Sequence, residues 1–325
     1  MTITSPPTDQ ATARQGLPRQ AKGSSADPLF EGLCFAAATL VLAALAGVVV
    51  SLAIGGWPAF AKFGVGFFFS AEWNPVTEVY GAAGPIVGTV VSAALALLFA
   101  LPCAFGVAIF LVELCPARLR QPIGTAVELL AGIPSVVYGM WGLFVFAPLF
   151  ATYIQMPAMM SAPVGSIWET LFAGIPNGAN ILSASIILAI MILPFMAAMM
   201  RELLMTVPKE VRESAYGMGS TTFEVVSKVS IPYIRKGIIG AIMLGLGRAL
   251  GETMAVTFII GNAHGFPDSL FASGSTIAST IANEFTEATG ELHTASLIAL
   301  GLVLFMITFI VLGLARMLIG RKVSV

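Results

Sequence analysis

The sequence predicts an all-α integral membrane protein with six transmembrane helices, and three observations carry that prediction. Of its 325 residues, 57% are hydrophobic and only 10% are charged, whereas soluble domains carry roughly a quarter charged residues. Uncharged apolar stretches long enough to cross a bilayer recur along the chain. Lys and Arg gather in alternate connections between those stretches.

Residues 1–28 are rich in Pro, Gln, Ser, Thr and Gly, carry Arg14, Arg19 and Lys22, and show no apolar period. They read as a disordered tail, and an apolar core this far from Met1 is unlike a cleaved signal peptide. Uncharged runs follow at 32–61, 79–112, 129–168, 170–200 and 292–315. Each satisfies the about 20 residues that a helix needs to span the hydrocarbon core. A further run between Lys236 and Asp268 is interrupted only by Arg248 and Glu252 and completes the six. The helices are placed near 33–54, 85–112, 123–148, 180–200, 234–260 and 293–316. The third holds Gly132, Pro134 and Gly139, and the second and fourth hold Pro102 and Pro194. Such breakers are tolerated where neighbouring helices or a cavity satisfy the freed backbone groups; ordinary kinking and a part in transport both fit them.

Orientation follows from the basic residues. The tail has three; the connection after the second helix has Arg118 and Arg120; the C-terminus has Arg316, Arg321 and Lys322. The 201–236 segment has Arg201, Lys209, Arg212, Lys228, Arg235 and Lys236. With six spans all four regions share one side, which is therefore the cytoplasmic one. The opposite connections, 55–84, 151–179 and 261–292, hold Lys62 as their one Lys or Arg and seven acids from Glu72 to Glu291. The net charge of -1 and isoelectric point near 6.1 point to no polyanionic partner such as nucleic acid; the apolar spans imply membrane lipid as surroundings. Cys34, Cys103 and Cys115 lack CxxC spacing, so neither a disulfide framework, a zinc site nor a redox role is expected.

The 201–236 connection is too patterned for a linker. Pro208 suits the first turn of a helix, and Gly219 can end that helix in a left-handed cap. Thr221 and Glu224 have capping-box spacing for a second short helix, and Pro232 is expected to open the fifth span. Glu213-Ser214-Ala215, three residues, Gly219, nine residues, then Val229-Ser230-Ile231-Pro232 resembles the EAA motif of ABC importer permeases, with Ser214, Val229 and Ile231 as departures from its central Ala, its Ile and its Leu. The resemblance implies a coupling helix seated in a groove of a cytoplasmic ATPase, where small Ser214, Ala215 and Gly219 would permit close approach. An interfacial amphipathic helix greeting anionic lipid is the alternative. No Lys in the chain follows a Gly, so a P-loop is lacking and energy must come from a partner or a gradient. HExxH is also absent, and His264 and His293 lack ligand-spaced companions; no metal site is expected, and each reads as a solvated or interface histidine.

Arg248 stands twelve residues past Lys236, about 18 Å into a core about 30 Å thick. Placing Arg there costs about 2.5–3.5 kcal/mol on the mildest scale, so something must offset it. Glu252, four positions on, is expected to pair with it. Gly237, Ala241, Gly245, Arg248, Glu252 and Ala255 share one narrow arc, and Gly247 with Gly251 makes a small-xxx-small step of the kind that packs against helices. Arg248 is thus expected to face the bundle interior. Its planar fork matches phosphate-like oxygens, with Glu252 moderating the grip; a structural ion pair locking two helices is the other reading. Glu128, placed near the cytoplasmic end of the third helix, either snorkels to the interface or lines the pathway.

Glu128-Leu129-Leu130-Ala131-Gly132-Ile133-Pro134-Ser135-Val136-Val137-Tyr138-Gly139 and Gly247-Arg248-Ala249-Leu250-Gly251-Glu252-Thr253-Met254-Ala255-Val256, joined by the 201–232 motif, resemble phosphate ABC importer permeases of the PstC type. The resemblance covers essentially 29–325, which it makes one permease domain of type I ABC importer architecture. It implies a heterodimer with a PstA-type permease, two PstB-type ATPase subunits and an extracytoplasmic PstS-type phosphate-binding protein. It further implies inward phosphate transport by alternating access, with Arg248 and Glu252 in the path. ATP and Mg²⁺ would sit on the partner ATPase and no cofactor on this chain, which would be a transporter subunit in the bacterial cytoplasmic membrane and not an enzyme. Two rivals stand: a permease for another oxyanion such as molybdate or sulfate, and a gradient-driven anion symporter with Glu252 or Glu128 taking up a proton. A membrane-embedded enzyme lacks any nucleophile, base and oxyanion-hole spacing.

Overall fold

The computed structural model describes residues 27–163 and 165–321. The expected N-terminal tail lies outside these residues, except Asp27 and Pro28, which belong to the first helix. The chain divides into two compact units, 1–50 and 51–325. The described part of the first is the opening of helix α1 (Asp27–Phe63), whose apolar composition suits a lipid-facing helix.

The second unit continues through α2 (Gly66–Phe69), the paired strands β1 (Trp73–Asn74) and β2 (Val79–Tyr80), and α3. α3 runs over Ala83–Leu114 and α4 over Ala117–Ala131; α5 (Ser135–Ser161) and α6 (Ile167–Leu171) follow. Then come α7 (Ile181–Met205), α8 (Lys209–Gly217), α9 (Thr222–Leu250) and α10 (Met254–Thr257). The last described helices are α11 (Ile277–Glu284) and α12 (Glu291–Arg321). Six helices among the described residues are long and apolar enough to span a membrane: α1, α3, α5, α7, α9 and α12. The expected count holds, and the protein is an all-α multi-pass membrane protein. We call the end carrying α4, α8 and the start of α9 the basic end, and that carrying the β1–β2 hairpin and α11 the acidic end.

Small residues at helical spacing build the core. Ala93, Ala96, Ala100, Ala104 and Ala108 are all fully buried on one face of α3 and cluster with Ile187, Leu188, Met191, Ile192, Met196 and Met200 of α7. A ridge of alanines lets two helices approach closely where lipid offers no hydrophobic drive. α7 is the most enclosed span, with 67% of its apolar window buried. A second core lies at the acidic end, where Phe67, Trp73, Tyr80 and Ala82 meet Ile277, Leu297 and Leu300.

Three spans differ from the expected ones. The first outruns 33–54 at both ends, over Asp27–Phe63. The third does not run unbroken over 123–148: α4 ends at Ala131, Gly132 and Ile133 form a turn, and α5 begins at Ser135. Pro134 explains this, since it disfavours helical backbone at Ile133 and has no N–H to donate. The fifth begins earlier and ends sooner than 234–260. The short helix opened by Thr221 runs on into it through a π-turn, and Pro232 stands in the first turn of its regular α-helical part, Ile231–Leu250, as expected. A π-turn over Val225–Ser230 precedes it, widening the helix where the proline ring and missing N–H would break regular bonding. The span stops at Leu250, with Gly251 as its C-cap.

Candidate functional site

The quoted motifs converge at the end of α9. Arg248 occupies the last turn, where unpaired carbonyls and the helix dipole favour a cation. The chain then breaks through Gly251, Glu252 and Thr253 before α10. α5 crosses directly against this break: a Cβ at Gly139 would lie 2.8 Å from Phe258 Cδ2 and 3.0 Å from both Ala255 Cα and the Met254 carbonyl oxygen. Only glycine permits that approach, so the 128–139 and 247–256 motifs, more than a hundred residues apart, meet through one missing methyl.

The expected Arg248–Glu252 pair does not form among the described residues. Helix α9 ends between them, so the one-turn stacking that would bring them together is lost. Glu252 Oε1 instead accepts the Ala255 N–H at 3.3 Å, capping α10. The Arg248 guanidinium lies 5.4 Å over the Phe195 ring of α7, a cation–π contact that offsets part of its desolvation. Nor does Arg248 face the interior of this chain. It is exposed and lines a groove of about 640 Å³ with Gly240, Leu244, Gly247, Thr308 and Leu312. Its buried neighbours Ala241, Gly245 and Ala249 are short enough for the backbone to pack, and the longer arginine reaches out past them.

At the basic end, ion pairs tie the short helices to the spans. Glu128 lies on α4, not on a spanning helix, and hydrogen-bonds Arg201 of α7. Gly124, one turn earlier, leaves the space that the Arg201 guanidinium fills; a Cβ there would be 3.0 Å from Cζ. Arg212 of α8 donates to Glu113 Oε1 at 2.9 Å, and the Tyr216 hydroxyl donates to Glu113 Oε2 at 3.4 Å. No sequence spacing announces Glu113 and Arg212, which stand 99 residues apart.

The 201–232 segment has the expected local chemistry. Gly219 adopts φ +89°, and Thr221 with Glu224 forms a complete capping box. Glu213, Ser214, Gly219 and Pro232 are exposed, Val229 and Ile231 are half-buried, and Ala215 is buried against the protein. Met218 and Phe223, which flank Gly219, are 82% and 79% exposed. Their apolar character within a charged segment was visible in the sequence but not their projection.

The acidic end gathers residues that spacing left apart. Glu284 Oε2 accepts from Trp73 Nε1 at 2.7 Å and from His293 Nε2 at 2.8 Å, while His264 Nε2 stands 3.1 Å from Oε1. His293 is buried and stacks on Tyr80, so the two histidines share one carboxylate and are not independent solvated groups. Burial pushes the Glu284 carboxyl up, but His264, Trp73 and His293 outweigh it and hold the group below the usual carboxylate value.

The comparisons agree with this architecture. A family model described as the binding-protein-dependent transport system inner membrane component matches residues 104–324. The phosphate transport system permease protein PstC of Mesorhizobium japonicum is 56% identical over 296 residues, covering 91% of this chain and 90% of that protein. PstC of Pasteurella multocida is 54% identical, covering 87% and 88%. A chain of a bacterial alginate ABC transporter, solved with its alginate-bound periplasmic protein, superposes with a TM-score of 0.60 at 16% identity over 92% of this chain and 98% of that one, which shows a shared fold. The chain belongs to the binding-protein-dependent transport system inner membrane components, and within them to the PstC family.

Proposed function

We propose that this chain is the permease subunit of an ATP-driven importer that moves inorganic phosphate across the bacterial cytoplasmic membrane by alternating access. The observation that carries the reading is Arg248: a fixed cation about 18 Å along α9 from Lys236, at a helix C-terminus, exposed and with no ion pair among the described residues. A guanidinium with free donors attracts an oxyanion, and non-helical backbone at this depth is tolerated where it lines a cavity. Glu252, turned towards Ala255, leaves Arg248 open to the passing anion and limits how tightly it is held. Glu128, paired with Arg201, joins the path at its cytoplasmic mouth.

The basic end is cytoplasmic, by the distribution of Lys and Arg. There Glu213, Ser214, Ala215 and Gly219, with Met218 and Phe223 projecting, dock on a PstB-type ATPase, and Val229, Ile231 and Pro232 link the docked segment to α9. ATP and Mg²⁺ bind that partner, two copies of which serve the assembly, and this chain holds no cofactor. A PstA-type permease covers the exposed Arg248 side, and a PstS-type binding protein delivers phosphate to the acidic end. The names and extent of the relatives support phosphate over molybdate or sulfate.

Labelled phosphate uptake tests this in cells that lack their own high-affinity system and carry this permease with its neighbours. Uptake should stop with Arg248→Gln while assembly survives, should resist molybdate and sulfate, and should require the ATPase. Uptake that continues without the ATPase would mean a gradient-driven carrier and overturn the reading.

A further inference from the structure

The break between α4 and α5 leaves a carbonyl short of a partner. In an unbroken helix the Leu130 carbonyl would accept the N–H of the residue four positions on, but that residue is Pro134, which has none. The Ile133 N–H reaches the carbonyl at 3.3 Å, and the Tyr138 hydroxyl, one turn into α5, donates to it at 3.1 Å. Tyr138 thereby bridges the break across eight residues, and the one proton of its hydroxyl is committed there.

What remains of that hydroxyl is acceptor only. The Tyr138 side chain is half-buried and the bond at its tip is exposed, so a solute can approach the lone pairs of the oxygen. The next residue, Gly139, is the contact that seats α5 on Met254, Ala255 and Phe258, just beyond Arg248 and the end of α9. The Arg248 charge acts on the Tyr138 hydroxyl. A guanidinium that only donates and an oxygen that only accepts therefore stand within electrostatic reach of each other.

The two groups ask different things of a tetrahedral oxyanion. Arg248 takes bare oxygens, whereas an acceptor whose own proton is committed needs an anion that carries an O–H. Phosphate and arsenate keep a proton near neutral pH and sulfate does not, so sulfate would set its lone pairs against those of the tyrosine. A site that hydrogen-bonds a hydroxyl of its substrate discriminates strongly against the analogue that lacks it. Building on the reading of Arg248 as the cation of the phosphate path, we infer that Tyr138 is a specificity-determining residue, accepting a hydrogen bond from the protonated oxygen of hydrogen phosphate while Arg248 binds the bare ones. Its bond to Leu130 holds the hydroxyl in the accepting orientation.

The test uses the full chain assembled with its partner permease and ATPase in lipid nanodiscs, without the binding protein, so that selection by that protein does not enter. Sodium phosphate, arsenate or sulfate is titrated near neutral pH at matched ionic strength, and hydrogen exchange of peptides within 247–256 is followed. Phosphate and arsenate should slow exchange there saturably, and the sulfate midpoint should be at least tenfold higher. Tyr138→Phe should raise the phosphate and arsenate midpoints at least tenfold and leave that of sulfate unchanged or lower, so that the preference disappears. A tyrosine that only braces the break would weaken all three anions alike, and a preserved preference in Tyr138→Phe would overturn the inference. The native complex decides by itself if that variant does not assemble: sulfate binding as well as phosphate would also overturn it. Arg248→Gln should abolish protection by every anion. Protection that survives Arg248→Gln, or its absence in the native complex, would overturn the Arg248 site on which the inference rests, whereas loss with Arg248→Gln and an unchanged preference with Tyr138→Phe would overturn the role of Tyr138 alone.

Discussion

Replacing Glu113 with Gln removes the charge that holds α8 against the end of α3. The Arg212 and Glu113 side chains are 17% and 7% exposed, 2.9 Å apart, and Tyr216 adds a weaker donor at 3.4 Å. Removing one partner of a buried pair costs about 3–5 kcal/mol, because the other charge is left without compensation. Gln keeps an acceptor and Arg212 keeps some access to water, so the lower end, about 3 kcal/mol, applies. At about 1.4 kcal/mol per factor of ten, this shifts the docking of α8 on α3 by roughly a hundredfold. If ATPase movement reaches the spans through this contact, Glu113→Gln should leave ATP hydrolysis in proteoliposomes near its normal rate while phosphate moved per ATP falls several-fold. Arg212→Gln should behave alike. In a double-mutant cycle read by thermal unfolding, the two changes should be non-additive by about 2 kcal/mol. An unchanged phosphate-to-ATP ratio, or additivity within about 0.5 kcal/mol, would refute the reasoning.

Other substitutions probe the remaining joints. Gly139→Ala would place a methyl against Phe258, Ala255 and Met254 and should lower stability by about 1–3 kcal/mol as overpacking, seen as a lower melting temperature together with slower uptake; an unchanged melt would show that α5 can yield there. Gly219→Asp forces a side chain onto a backbone at φ +89°, a strain of about 1–3 kcal/mol, and adds charge at the docking surface. The variant should insert normally but lose co-purification with the ATPase, and normal co-purification with normal uptake would show the docking assignment wrong. The Glu284 carboxyl is held below its usual value, so its stabilisation is complete above the ordinary Glu value of about 4.3 and fades as pH falls through the folded one. Limited proteolysis within 261–290 should therefore rise below about pH 4 in the native chain. Glu284→Gln should lack that acid step, and a step of the same size in both would exclude Glu284 as its source.

Period and punctuation in the chain foretold much of this local structure. The left-handed backbone at Gly219 and the capping box at Thr221 and Glu224 are set within four residues and were readable as such. The chemistry of Arg248, a cation where a bilayer disfavours one, was likewise visible before any fold was known. Its surroundings were not: a helical wheel assumes an unbroken helix, and α9 ends two residues after Arg248. The same assumption carried Glu128 onto a span, although Pro134 marked the break.

By itself, then, the sequence determined six spans and the 201–232 element, because hydropathy and helix caps act over one helix length or less. Tertiary structure alone decided that Gly139 seats the 128–139 motif on the 247–256 break and that Glu113 anchors α8. It also brought Trp73, His264 and His293 to Glu284. Those contacts join residues up to 211 apart in the chain, and which side chains meet at such separations is settled only when packed helices fix their register.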